Sequence, residues 1–307
     1  MTRYVAERLF QALLTLLLLS AIIFFLSRVL GDPVMFLLPM DARQDDVDRL
    51  REIYGFNRPL IVQYLDMLGQ MLQGDFGESL RLRDPVIDLI AERWLASVQL
   101  ILIGMSWAIV AALILGVLSA VYRGRPIDWI ARTLAVIGQS APSFWIGLIL
   151  IQLFSVRLEW LPSAGYGGFA HMVLPSFALG VFALAGMTRL LRSSMLDVLD
   201  SDYVKKARIM GVPEWRVITK HALKNAILPV LTFAGEYFAL LVTAGVVVET
   251  VYAWPGMGTL AVDAVVNRDF PLIQGVTTMI AVIVMSMNLI VDLLYASIDP
   301  RIRLGRR

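Results

Sequence analysis

Two groups of side chains in this chain have types and spacings that could do chemistry. The first is cationic. All four lysines, Lys205, Lys206, Lys220 and Lys224, fall within residues 202–229. Arg216, Lys220 and Lys224 recur every four residues, which on a helix makes one basic stripe. Such a stripe can hold anionic lipid headgroups or enter a protein socket. In the same segment Ala207 and Gly211 lie four apart, a small-residue spacing that lets another surface come close. The second group is a polar row in an apolar stretch: Thr232, Glu236 and Thr243 share a helical face with Ala239. A carboxylate at membrane depth lines a passage and meets a cationic solute, pairs with a basic group of a partner, or stays protonated and hydrogen-bonded. Asn288 and Asp292, also four apart, read as helix–helix hydrogen bonding. No Ser/His/Asp set or carboxylate pair offers catalysis. The absence of cysteine excludes a disulfide, a thiolate nucleophile and a cysteine-ligated metal.

The elements that must position these residues are membrane spans. Hydrophobic residues make up 58% of the 307 residues, with a mean hydropathy of +0.72, beyond the balance of a soluble domain. Six segments are long and apolar enough to cross a bilayer, near 9–29, 98–121, 130–155, 172–191, 227–248 and 273–296. The first lacks a small-x-small cleavage site and reads as an uncleaved helix. Most Lys and Arg residues fall in the segments before 9, around 122–132, within 189–224 and after 300. By the positive-inside rule those segments and both termini are cytoplasmic. His171 and His221 then lie on opposite sides and cannot share a metal. A net charge of +2 gives no reason to expect a nucleic-acid partner.

Two domains are expected: residues 1–97, a first span plus an outer helical subdomain, and residues 98–307, a five-helix core carrying the basic loop 202–229. In the outer subdomain the amphipathic stretches DDVDRLREIYG and LIVQYLDMLGQML are followed by Gly74 and Gly77, and Gly31-Asp32-Pro33 signals a turn. Pro142 lies inside the third span and should kink it. Gln139, Ser140 and Ser143 surround that break, as partners for freed carbonyls or as pathway lining. Trp145, Trp160 and Trp254 suit packing or an aromatic belt. In the basic loop, Asp202 is the expected N-cap of a helix over 203–210. Gly211 ends it in a left-handed conformation, and Pro213 with Glu214 opens the next helix.

The loop also carries a resemblance. KKARIMG (205–211) followed by KHALKNAILP (220–229) is similar to the "EAA" loop of binding-protein-dependent ABC transporter permeases, in their peptide/nickel branch. LGDP (30–33), GDFGESL (74–80), APSFWIGLIL (141–150), VETVYAWPGMG (248–258), NRDFPLIQG (267–275) and NLIVDLLYASIDPRIR (288–303) resemble that branch's B-type subunit, in order and along nearly the whole chain. Lys205-Lys206 depart from the acidic-alanine start of the general pattern, which removes a carboxylate there and leaves Ala207 and Gly211 in place.

The resemblance implies an all-α type I importer fold in a bacterial inner membrane. It implies a second, distinct permease, two ATPase subunits that bind ATP and Mg, and an extracytoplasmic binding protein. Lys205, Lys206, Ala207, Arg208, Gly211, Val212 and Pro213 would then couple to the ATPase. The cargo would be a peptide, a peptide-like solute or a metal chelate. An apolar residue is usual in the branch where this chain has Glu236. No Gly-Lys step occurs, so the chain itself lacks a Walker A lysine and needs no cofactor of its own. An ion-coupled carrier and an intramembrane enzyme are the rival readings. The first would need no ATPase; the second would need polar groups converging at one depth, which Glu236 alone does not supply.

Overall fold

Lipid offers a backbone amide no hydrogen-bond partner, so long apolar runs fold as helices that satisfy their own N–H and C=O groups. The computed structural model describes residues 2–30, 43–53 and 55–298, and these are helical with no strand beyond an isolated Glu78–Pro85 bridge. The Gly31-Asp32-Pro33 turn and the 299–307 tail lie outside the described residues. So does the side chain of Asp292. The residues group into two compact units, 1–96 with 255–289 and 97–254 with 290–307. A boundary near 97 was expected; the clustering of 255–289 with the N-terminal part was not.

In the first unit α1 (Thr2–Leu30) is the first span. Its apolar side chains, Phe10, Leu14 and Ile22 among them, stand exposed as lipid-facing residues do. Residues 43–96 hold the two expected amphipathic helices, α2 (Gln44–Ile53) and α3 (Leu60–Leu72). Tyr64 on α3 reaches α1: its hydroxyl lies 2.9 Å from Ser20 Oγ and donates to the Leu17 carbonyl at 3.0 Å. The core joins the start of α4 (Val86–Val121) to two helices placed late in the chain, α12 (Met257–Val266) and α13 (Phe270–Ile298). Val86, Ile90, Leu260, Leu272 and Val276 are buried together there.

The second unit contains the rest of α4, then α5 (Pro126–Ser140), α6 (Ser143–Leu150, continued by a π-helical stretch Ile151–Arg157) and α7 (Phe169–Leu199). The short helices α8 (Asp202–Ile209), α9 (Glu214–Arg216) and α10 (Leu223–Ala226) of the loop and the long α11 (Leu228–Val251) follow. α4 and α7 approach at glycines: a Cβ on Gly180 would lie 2.5 Å from the Gly104 carbonyl oxygen. Close backbone approach of this kind drives helix association in lipid. Trp107 fixes the register by donating from Nε1 to the Ser176 carbonyl at 3.0 Å and stacking on Phe177.

Among the described residues five helices are each long and apolar enough to span, and the third expected span is instead a pair, α5 and α6, bent by 110°. The break is sharper than a kink. Ala141 precedes Pro142, and the proline ring drives the preceding residue out of the helical region; Ala141 is extended, at φ −93°, ψ 131°. Pro142 becomes the N-cap of α6. α5 therefore stops at Ser140, and α6 restarts in a new direction.

Candidate functional site

The loop between α7 and α11 is a folded unit. α8 (Asp202–Ile209) is followed by a single turn α9 (Glu214–Arg216), a π-helical stretch Val217–Ala222 and α10 (Leu223–Ala226). The N-cap of α8 is Ser201, one residue before the expected cap Asp202, which lies instead in the first helical turn. Gly211 has φ +75° as expected. The Val212 N–H bonds to the Ala207 carbonyl and the Gly211 N–H to the Arg208 carbonyl. That pair of bonds is a Schellman motif, which only a left-handed residue at Gly211 can close.

Ala207 is turned inward. With Val204 and Val217 it is buried in a small core that Val198, Leu199 and Val212 complete. Its small side chain therefore lets α8 pack on the chain that follows Gly211, and the end of α7 is part of the same core. Arg208 also works within the loop. Its Nη2 and Nε donate to the two Glu214 oxygens at 2.8 and 3.2 Å, across the Gly211 turn. These bonds hold the Glu214 carboxyl below its ordinary value. Asn225 donates to the Tyr203 hydroxyl at 2.7 Å and closes the far end.

What the folded loop presents outward is Lys205, Lys206, Gly211 and Pro213, together with Ile209 at 86% exposure, Met210 at 74% and Trp215 at 62%. Three large apolar side chains at the tip of a cationic loop are costly in water and signal a contact. The sequence reading named the cations and the turn and gave no role to Ile209 or Met210. Arg216, Lys220 and Lys224 are all exposed, but the π-helical stretch lies between them, so the four-residue periodicity of the basic stripe is that of no single α-helix.

The polar row on α11 is also exposed: Thr232, Glu236 and Thr243, continued by Leu240 and Val247, form one unpacked face. The opposite face carries Ala234, Tyr237 and Leu241 into the unit, where Tyr237 stacks on Phe182 and Phe233. Gln139 is brought towards this helix: its Nε2 and the Phe233 ring both lie beside Gly186 of α7, close to where a Cβ would project. Ser140 and Ser143 stand at the α5–α6 elbow, where Ser140 Oγ donates to the Val136 carbonyl at 2.8 Å. An open groove of about 470 Å³ runs there, walled by Ile137, Ser140, Pro142, Phe144 and Trp145. Among the described residues no group of three His, Cys, Asp or Glu could hold a metal.

Two family models match the chain: "Binding-protein-dependent transport system inner membrane component" over residues 112–304, and its N-terminal counterpart over residues 1–101. The chain belongs to this permease family. It is 41% identical over 304 residues to the glutathione transport system permease protein GsiC of Salmonella typhi and 40% identical to that of Escherichia coli K12, with 99% of each chain covered. Among solved structures it is similar to the MetNI methionine ABC transporter in inward-facing conformations (TM-score 0.57, 17% identity, 69% of this chain and 96% of that one). It is likewise similar to an amino acid ABC transporter (TM-score 0.55, 15% identity, 68% and 94%). At those identities the likeness is one of fold. The chain is thus an inner-membrane permease subunit of an ABC importer. It is not itself an enzyme, and it works in a complex with an ATPase and a binding protein.

The permease also holds polar contacts that sequence reasoning missed. Asp128, 1% exposed, takes Arg192 Nε at 2.7 Å and Nη2 at 3.0 Å, Ser119 Oγ at 2.6 Å and the Gly124 N–H at 2.9 Å. One carboxylate thereby ties the end of α4, the α4–α5 turn and α7 together, seven residues before α7 ends in the loop's core. Glu249, buried near the end of α11, accepts from Ser97 Oγ at 2.6 Å. Trp254 is fully buried and edge-on to Tyr166, a packing residue.

Proposed function

We propose that residues 202–229 couple this permease to the ATPase, with Lys205, Lys206, Gly211, Pro213, Ile209, Met210 and Trp215 making the contact. Ala207, Arg208 and Val212 keep the contact surface in shape. The observation that carries this reading is the combination of an internally saturated loop with an exposed apolar and cationic tip. A loop held by its own core moves as one piece, so a push at the tip reaches α7 and α11 undamped.

The remaining assignments belong to the same reading. The loop and both termini lie in the cytoplasm, and residues 42–96 lie outside. The permease pairs with a second, distinct permease, and two ATPase subunits supply the ATP and Mg sites. Cargo passes along the α11 face of Thr232, Glu236 and Thr243, with Gln139, Ser140 and Ser143 at the elbow contributing. The cargo is a peptide or peptide-like solute; the full-length similarity to glutathione permeases supports that class. Polar side chains on an otherwise apolar face are what a hydrophilic solute needs in a membrane.

The test is Gly211→Trp in the reconstituted complex. A bulky side chain is strained at a positive φ and projects from the contact surface, where among the described residues nothing lies within 4 Å of its Cβ position. Cargo uptake should fall sharply and co-purification of the ATPase should weaken, while membrane insertion survives. Normal uptake with full co-purification would remove the Gly211 turn from the contact.

A further inference from the structure

A small polar cavity of about 170 Å³ lies in the first unit, lined by Arg81, Leu82, Arg93, Asp263, Asn267 and Asp269 among others. One wall, the 79–82 turn, is held by Asp269. This buried carboxylate takes the Ser79 hydroxyl at 2.5 Å, the Leu80 N–H at 3.2 Å, the Arg81 N–H at 3.3 Å and the Leu272 N–H at 3.3 Å. Four donors satisfy its charge. The guanidinium groups of Arg81 and Arg93 form no ion pair among the described residues, although Arg93 is partly buried. Guanidinium donors with no direct carboxylate partner are available to a ligand that enters the cavity. Asp263 stands exposed at the rim, its side chain also without an ion-pair partner.

Size decides what could fill the space. Sites for whole small molecules run to about 300–1,000 Å³, so this cavity is too small for a peptide-like solute and sufficient for one carboxylate side chain. We propose that it receives an acidic side chain of the extracytoplasmic binding protein, clamped by Arg81 and Arg93. Guanidinium groups suit this task because their donors match a carboxylate in pairs. The inference rests on residues 42–96 facing outward, the side from which a binding protein approaches.

The experiment measures the affinity of the purified cognate binding protein for the whole transporter in lipid nanodiscs, where both faces are open. Arg81→Glu and Arg93→Gln should each weaken binding about tenfold or more, and binding to the unaltered complex should fall with salt. Asp263→Asn should leave affinity unchanged or tighter, since it removes a like charge. The Arg81 side chain has no ion-pair partner among the described residues, so Arg81→Glu carries the test even if an Arg93 variant fails to assemble. Affinity unchanged in Arg81→Glu would overturn the proposal. So would an equal loss in Asp263→Asn, the mark of a zwitterionic ligand. An unaltered complex that bound no binding protein would instead refute the partner and orientation assigned above.

Discussion

Replacing Asp128 by alanine should cost the second unit several kcal/mol, because the carboxylate is at once buried and shared. Its partners are Arg192, through two hydrogen bonds, the Ser119 hydroxyl, the Gly124 amide and the more exposed Arg132, in an ion pair at 3.5 Å. Removing one member of a buried pair costs roughly 3–5 kcal/mol, since the other charge stays behind without compensation. Arg192 is 19% exposed, so water recovers part of its hydration and the lower half of that range applies, about 3 kcal/mol. Ser119→Ala removes a single hydrogen bond to a charged group and should cost less, about 1.5–3 kcal/mol. The assay is thermal unfolding of the detergent-solubilised complex for Asp128→Ala, Arg192→Ala and the double variant. The double variant should be less damaged than the two single losses added together, because each single change already abolishes the shared interaction. Strictly additive losses, or an Asp128→Ala complex as stable as the unaltered one, would refute the reasoning.

Two further outcomes follow from the packing and the polar row. Gly180→Ala should destabilise the second unit by about 1–3 kcal/mol, because its Cβ would meet the Gly104 carbonyl oxygen at 2.5 Å, whereas Gly245→Ala, with nothing within 4 Å, should be neutral or stabilising; equal melting temperatures for the two variants would contradict the close α4–α7 approach. Glu236→Gln keeps shape and removes charge, so reconstituted transporters should assemble normally and lose uptake of cationic cargo analogues more than of neutral ones; an assembly defect with equal loss for all cargo would make Glu236 a structural ion-pair member.

The features legible in the sequence were those set by neighbours along the chain. The Gly211 turn is one: glycine after an eight-residue helix and before Val212-Pro213 satisfies a local hydrogen-bond pattern, and the observed motif is that pattern. The two amphipathic helices of residues 44–72 and the break at Pro142 are of the same kind. The size of the break was not legible, because a proline says that a helix stops and leaves the new direction to packing. The π-helical stretch 217–222 was hidden for a similar reason: the β-branched run Val217-Ile218-Thr219 only lowers α-helix propensity without specifying another winding, and Val217 and Ala222 are both buried. Asp128, Glu249 and Asp269 were passed over because their main partners lie 64, 152 and 190 residues away. The outward role of Ile209 and Met210 became visible only once Ala207 and Val204 were seen to point inward.

The central claim, that the tip of the 202–229 loop touches the ATPase, is open to a direct measurement because the permease has no cysteine of its own. Met210→Cys, carrying a short photoactivatable crosslinker on its sulfur, is assembled with the rest of the transporter in membranes and illuminated. The ATPase should be captured in high yield from Met210, and the same probe at Asp46, which the proposed orientation puts on the opposite side of the membrane, should capture none. Capture of the ATPase from Asp46 and not from Met210, or of lipid alone from both, would contradict the account.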